Sequence, residues 1–185
     1  MTNTIIDQDV SIIASNLKNH VKKLEGKTLL ISGGAGFLGT YILKTIAYLN
    51  KNKFKKPCRV ISIDNYLTGT KKGNDSEYPE SEFQFLEHDI CKPVEVSESV
   101  DFIIHAAGVA SPIYYQKYPL ETIETAIWGV KNLLELAKLK HVKSFLYFSS
   151  SEIYGDPDPS AVPTPETYRG NVSSLGDRAC YDESK

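Results

Sequence analysis

The chain has 185 residues, 41% hydrophobic and 24% charged, which is the composition of an ordinary globular protein with a sizeable core. Its 21 Lys and Arg against 23 Asp and Glu give a net charge of −2, which excludes a strongly basic nucleic-acid binder. No apolar run approaches the roughly 18 residues of a membrane span. Three widely spaced cysteines indicate reduced thiols in a cytoplasmic protein, and neither a disulfide framework nor a metal site is predicted.

The first predicted element is an amphipathic helix over residues 8–24. Its apolar residues recur at helical spacing: Val10, Ile13, Leu17 and Val21. We expect this helix to pack against the rest of the chain as an extension that covers residues 1–26. A helix that lies on a membrane surface is the alternative interpretation.

Further along the chain, short apolar runs alternate with helical patterns. The predicted strands are residues 28–32, 59–63, 83–86, 102–105 and 144–148. The predicted helices are residues 37–50, residues 119–139 and a last one that begins near Tyr181. The polar segments 68–82 and 155–177 are predicted loops. This alternation predicts an α/β fold, a Rossmann-like doubly wound parallel sheet over residues 27–185. Such a sheet has about one more strand, so we expect a chain truncated before a C-terminal substrate subdomain.

A glycine-rich turn lies between the first strand and the helix that follows it. Gly33, Gly36 and Gly39 fit the pattern G-x-x-G-x-x-G, and Gly34 gives the alternative G-x-G-x-x-G. Glycine permits a tight turn, a close backbone approach to a pyrophosphate, and close packing of helix on strand. The pyrophosphate then binds at the positive end of the helix dipole. The turn therefore predicts a dinucleotide site, and a purely structural turn is the alternative.

An acidic residue ends the second strand, where a dinucleotide site places its ribose. Asp64 follows Gly39 by 25 positions and is expected to accept hydrogen bonds from the adenosine ribose hydroxyls. Its charge would repel a 2′-phosphate, so NAD is predicted over NADP, although Lys71 and Lys72 lie nearby in the sequence. A helix cap is the alternative role for Asp64.

The ends of the third and fourth strands carry further candidates. Asp89 and Ile90 are predicted to contact adenine, with a plain strand-end turn as the alternative. Ala106 and Ala107 have side chains small enough for a cofactor to lie across the strand ends. Tight packing between elements would explain the two alanines equally well.

A candidate reacting group follows the fifth strand. Ser150 and Glu152 lie at its carboxyl end, where open α/β sheets bind ligands, and Tyr181 and Lys185 share one helix face. An ammonium beside a phenol favours the phenolate, which can remove a hydroxyl proton while a hydride leaves for a nicotinamide. The alternative is an exposed Tyr and Lys on a helix surface; the glycine turn and Asp64 favour the catalytic interpretation.

At this point the chain resembles the extended short-chain dehydrogenase/reductase superfamily, whose NAD-dependent epimerase/dehydratase members act on nucleotide sugars. The likeness is strongest to the UDP-glucuronate decarboxylase family. The matching segments run from about residue 29 to Lys185 and read GGAGFLGT, DNYLTG, HDI, HAAGVASP, SSSEIYGDP and RACYDESK.

The resemblance implies roles for these residues. The pyrophosphate is held by Gly33, Gly36, Phe37, Leu38 and Gly39. The adenosine end is held by Asp64, Asn65, Thr68, Gly69, Asp89 and Ile90. The catalytic group is Ser150, Glu152, Tyr181 as the base and Lys185 as its partner, and the last two also bind NAD. Ser151 stands where the dehydratases have an aspartate, which favours the decarboxylase.

The implied reaction is oxidation of UDP-glucuronate at C4, loss of carbon dioxide and re-reduction of the ketone. Glu152 is the candidate that handles the proton returned to C5. The resemblance also implies a homodimer, with residues 119–139 as one interface helix. A nucleotide-sugar 4,6-dehydratase, a 4-epimerase and a truncated, non-catalytic NAD-binding module are the alternatives.

Overall fold

The structure is a computed structural model that describes residues 4–69 and 78–185. Its strands are β1 (Thr28–Ser32), β2 (Arg59–Asp64), β3 (Phe83–Glu87), β4 (Phe102–His105) and β5 (Ser144–Tyr147). Its α-helices are α1 (Thr4–Asn16), α2 (Phe37–Asn52), α3 (Pro112–Lys117), α4 (Pro119–Glu124), α5 (Val130–Leu139) and α6 (Ala179–Asp182). The middle of the predicted loop 68–82, with Lys71 and Lys72, lies outside the described residues.

The five strands form one parallel sheet in the order β3-β2-β1-β4-β5. β1 is the centre, and the chain builds the sheet outward from it, first through β2 and β3 and then through β4 and β5. In a parallel sheet this reversal opens a crevice at the carboxyl ends of the central strands. The order confirms the predicted Rossmann-like fold.

Apolar side chains cover both faces of the sheet because successive strand residues point in opposite directions. On one face, Leu29 and Ile31 of β1 pack with Leu43 of α2. On the other face, Leu30 of β1 packs with Leu133 of α5. The sheet is therefore a middle layer between helices, which explains why its strands are almost continuously apolar.

The N-terminal helix differs from its prediction. The expected helix 8–24 is α1, which ends at Asn16, followed by a 3₁₀ segment over Lys18–Leu24. Lys18 has φ +48°, a left-handed conformation that stops an α-helix, and apolar spacing does not reveal such a break. The extension packs on α2, where the Tyr41 hydroxyl donates to Asp9 over 2.9 Å.

Two further features lie between β4 and β5. The expected helix 119–139 is present as α4, a π turn over Thr125–Gly129, and α5. The sequence prediction missed α3, which starts with Pro112 in its first turn and has only six residues. A helix this short gives almost no periodic signal. Within the described part of the chain, no helix has both the length and the apolar character to cross a membrane.

Candidate functional site

A cleft opens at the carboxyl edge of the sheet, where β1, β2 and β4 end. Nine of the residues predicted to bind a cofactor line it: Gly33, Gly36, Asp64, Asn65, Thr68, Gly69, Ile90, Ala106 and Ala107. They come from four separate segments of the sequence. The structure therefore brings most of the predicted dinucleotide site into one place.

The glycine turn is packed directly against the end of β4. Gly33 has φ +79°, and a Cβ on it would lie 2.6 Å from the backbone nitrogen of Ala107. A Cβ on Gly39 would overlap the carbonyl oxygen of Gly33. Both positions therefore exclude any side chain, which leaves bare backbone beside the first turn of α2. This cradle has the shape and the polarity for a pyrophosphate.

Asp64 joins the turn after β1 to the loop after β2. Its Oδ2 accepts a hydrogen bond from the amide of Ala35 (2.9 Å), and its Oδ1 accepts one from the amide of Tyr66 (2.8 Å). A carboxylate oxygen has two acceptor positions, so Asp64 can still accept from a ligand in the cleft. Its role toward a ribose stays a prediction.

Three predicted binding residues turn their side chains to other neighbours. The Asp89 carboxylate accepts from the amide of Cys91 (3.0 Å), as in a strand-end turn. Phe37 is exposed and meets the ring of Tyr41, and Leu38 lines an apolar groove beside α2 and β5. Only backbone groups of Phe37 and Leu38 are thus placed at the turn, and the three roles stay predictions.

Tyr181 and Lys185 meet at the edge of the cleft. The Lys185 ammonium donates to the carbonyl of Phe148 (3.2 Å) and lies 3.1 Å from where a Cβ on Gly108 would be. Gly108 lines the cleft. The same ammonium lies 5.5 Å from the ring centre of Tyr181, which is buried and stacks on Tyr115 of α3. Burial lowers the pKa of Lys185.

Ser150 and Glu152 occupy the loop after β5. The Ser150 hydroxyl accepts a hydrogen bond from the amide of Glu152 (3.3 Å) and so caps a 3₁₀ turn over Ser151–Tyr154. The Glu152 carboxylate forms a 2.5 Å ion pair with Arg178, which lies three residues before Tyr181. The negative charges of Glu152 and Asp182 raise the pKa of Arg178. Glu152 is therefore tethered to the segment that carries Tyr181.

The sequence prediction missed residues that support the site from inside. His105 ends β4, is fully buried, and has its Nδ1 2.7 Å from the hydroxyl of Ser32 on β1. Burial, followed by the charge of Lys185, lowers the pKa of His105 to about 4. A polar residue at the end of an apolar strand was the available signal. Other cleft residues that were missed are His88, Val109 and Thr125.

Comparison with known proteins gives a family match. Residues 29–185 match the model of the NAD dependent epimerase/dehydratase family. UDP-glucuronic acid decarboxylase 5 of Arabidopsis thaliana is 40% identical over 171 residues, 92% of this chain and 47% of the plant protein. UDP-glucuronic acid decarboxylase 1 of Xenopus tropicalis is 36% identical over 159 residues, 86% of this chain and 35% of the frog protein. The chain thus spans half or less of the length of these relatives.

The sheet and helices are also found in solved structures. The UDP-Glc/GlcNAc 4-epimerase of Campylobacter jejuni superposes with a TM-score of 0.65 at 24% sequence identity. The superposition covers 86% of this chain and 46% of the epimerase. This likeness supports the fold.

The low pKa of His105 predicts a pH-dependent stability. A neutral His105 is favoured in the folded chain, whereas an unfolded histidine takes up a proton below about pH 6.5. The difference contributes up to about 3 kcal/mol to the free energy of unfolding. This contribution is complete above pH 6.5 and is lost as the pH falls toward 4. In urea unfolding, His105→Asn removes this loss, and the exposed His141→Asn serves as control. If the free energy of unfolding falls equally in wild type and in His105→Asn as the pH is lowered, the assignment is contradicted.

Proposed function

We propose a function from one premise: the chain belongs to the NAD-dependent epimerase/dehydratase family. It is the NAD-binding part of a UDP-glucuronate decarboxylase. The observation that carries this proposal is the meeting of Tyr181 and Lys185 at the rim of the glycine cleft. Relatives that are 36% to 41% identical to this chain over the aligned residues are named UDP-glucuronic acid decarboxylases, which supports the substrate.

The residues of the cleft fit NAD. The backbone cradle of Gly33 and Gly39 would hold the pyrophosphate, and Asp64 would accept from the adenosine ribose. The Lys185 ammonium, at the opposite side near Gly108, would bind the nicotinamide ribose. When bound, NAD⁺ accepts a hydride from the substrate and later returns it. An acid at the end of β2 disfavours the extra phosphate of NADP.

Tyr181 would remove the proton of the sugar C4 hydroxyl. Its ring is held by stacking on Tyr115, with ring centres 5.4 Å apart, and by the nearby ammonium of Lys185. The Ser150 hydroxyl would share the hydrogen bond of the alcohol. General base help of this kind contributes about 10²- to 10⁴-fold in rate.

Oxidation at C4 makes the C5 carboxylate a β-keto acid. The bond from C5 to the carboxylate then breaks, carbon dioxide leaves, and the electron pair forms an enolate. Glu152 would guide a proton to C5, directly or through a water, before the C4 ketone is reduced. The ion pair with Arg178 fixes the position of the Glu152 carboxylate relative to the helix that carries Tyr181.

Two further assignments belong to this proposal. Residues 1–26 are an extension to the domain 27–185, supported by a family match that begins at residue 29 and by the packing of α1 on α2. A cytoplasmic location is supported by three free cysteines. Burial raises the pKa of Cys58 to about 12 and that of Cys91 to about 11, as expected of inert structural thiols.

A homodimer is also part of the proposal. Leu120 of α4, Ile127 of the π turn and Leu134 of α5 are spaced seven residues apart in the sequence and are 69%, 50% and 47% exposed. Exposed apolar residues of this kind form a seam that another helix can cover. We expect the same helix of a second copy to cover it.

The catalytic assignment predicts the effect of Tyr181→Phe. With the full-length protein, NAD⁺ and UDP-glucuronate, mass spectrometry is expected to show a nucleotide sugar that has lost carbon dioxide. Tyr181→Phe removes only the hydroxyl, so turnover falls at least about 100-fold while the dissociation constant of NAD⁺ stays within about twofold. Tyr48→Phe on α2 is the matched control and keeps full turnover.

Two results would contradict this assignment. Equal loss of NAD⁺ binding and turnover in Tyr181→Phe would place Tyr181 in cofactor binding and not in proton transfer. No change in any nucleotide sugar, with NAD⁺ bound by the full-length protein, would favour the non-catalytic NAD-binding module.

The dimer assignment predicts the effect of Ile127→Asp. A carboxylate in the apolar seam is expected to convert a dimer into a monomer of 20.6 kDa, measured by size-exclusion chromatography with light scattering. Leu139→Asp is the control because Leu139 is 73% exposed and lies off the seven-residue spacing. A monomeric wild type, or a dimeric Ile127→Asp, would contradict the seam.

A further inference from the structure

The Lys185 ammonium is enclosed by two aromatic rings and a carbonyl. Its Nζ lies 5.4 Å from the ring centre of Tyr147 and 5.5 Å from that of Tyr181. It donates to the carbonyl of Phe148 over 3.2 Å. Both ring distances are within the range of about 6 Å in which an aromatic face attracts a cation. Tyr147 and Phe148 are neighbours at the end of β5, so one strand end supplies two of the three contacts.

The ring of Tyr147 is held in place by contact with the buried end of β4. Tyr147 pairs in register with His105, and the two ring centres are 5.4 Å apart. His105 is itself held by the hydroxyl of Ser32 on β1. The ring that faces Lys185 is therefore held by contacts to the buried centre of the sheet.

The hydroxyl of Tyr147 does not explain why this residue is a tyrosine. It is buried and has no hydrogen-bond partner among the residues that the structure describes. The hydroxyl thus makes no hydrogen bond to a described residue that could orient Lys185, whereas the ring contacts the ammonium. The face of that ring is what the ammonium contacts.

Among the described residues, the charge of Lys185 is stabilised by aromatic rings and not by an ion pair. Tyr147 faces it from β5, Tyr181 from α6 and His105 from β4. His105 is neutral at pH 7, since its pKa is about 4. Burial, and then the proximity of Tyr181, raise the pKa of Tyr147, which keeps it neutral as well. Among the described residues, Lys185 forms no ion pair with a carboxylate.

We propose that Tyr147 is a positioning residue for Lys185, whose ammonium it holds at the rim of the cleft through its ring face. Lys185 is half-buried, so an aromatic face and a carbonyl replace part of the solvation that the ammonium has lost. The consequence for NAD binding rests on the proposed function of Lys185. The contact between ring and ammonium does not.

The test compares Tyr147→Phe with Tyr147→Leu. Phenylalanine keeps the ring face and removes only the unpaired hydroxyl, whereas leucine removes the ring. The pKa of Lys185 is measured by NMR of ¹³C-methylated lysines, with the signal assigned by its absence in Lys185→Arg. Loss of the ring disfavours the charged amine, so Tyr147→Leu is expected to lower the pKa of Lys185 by about half a unit to one unit. Tyr147→Phe leaves it unchanged.

The same variants are titrated with NAD⁺. Tyr147→Leu is expected to weaken NAD⁺ binding about three- to tenfold, and Tyr147→Phe to bind as wild type does. If Tyr147→Leu does not fold, Tyr147→Met takes its place, because methionine fills the volume without a ring.

Two results would overturn the role of Tyr147. One is a ringless variant that leaves the pKa of Lys185 unchanged, and the other is Tyr147→Phe shifting it as far as Tyr147→Leu does. A wild-type chain that fails to bind NAD⁺ would contradict the proposed function instead, and the pKa comparison would still decide the role of Tyr147.

Discussion

The close contact between Gly33 and the peptide of Ala106 and Ala107 sets the geometry of the whole site. A Cβ on Gly33 would stand 2.6 Å from the nitrogen of Ala107, so the ends of β1 and β4 can meet only if residue 33 has no side chain. Backbone bonds hold this arrangement, from the amide of Gly33 to Ile63 (2.8 Å) and from the amide of Ala106 to Ser32 (3.0 Å). The cleft opens where three strand ends are held together, with the bare backbone of Gly33 and the small side chains of Ala106 and Ala107 between β1 and β4.

The two ends of the cleft carry groups of opposite charge. Asp64 places a carboxylate at the β2 side, tied to the amides of Ala35 and Tyr66. Lys185 places a half-buried ammonium near Gly108 on the β4 side. His105, beneath this end, stays uncharged and so does not compete with Lys185 as a cation. A ligand with hydroxyl groups at both ends and a pyrophosphate between them matches this order of groups.

The sequence predicts a feature when its signal lies within one short segment, and misses it when distant segments must meet. β1 and β4 were predicted with their observed ends because a short apolar run is a local signal, and the glycine turn is equally local. The break at Lys18 and the six-residue α3 were missed because neither changes the hydrophobic period of its neighbourhood. The pairing of Glu152 with Arg178 and the ring of Tyr147 beside Lys185 depend on distant segments that meet only in the fold. Spacing within one segment carries no information about such contacts.

The most direct measurement is two-dimensional ¹⁵N NMR of the chain during a titration with NAD⁺. Saturable shifts are expected at the amides of Gly33, Gly36, Asp64 and Ala106, which surround the cleft. The apolar groove beside α2 and β5, lined by Leu38 and Leu146, should be unaffected. Shifts centred on that groove, or none at millimolar NAD⁺, would contradict the assignment of the cleft as a dinucleotide site.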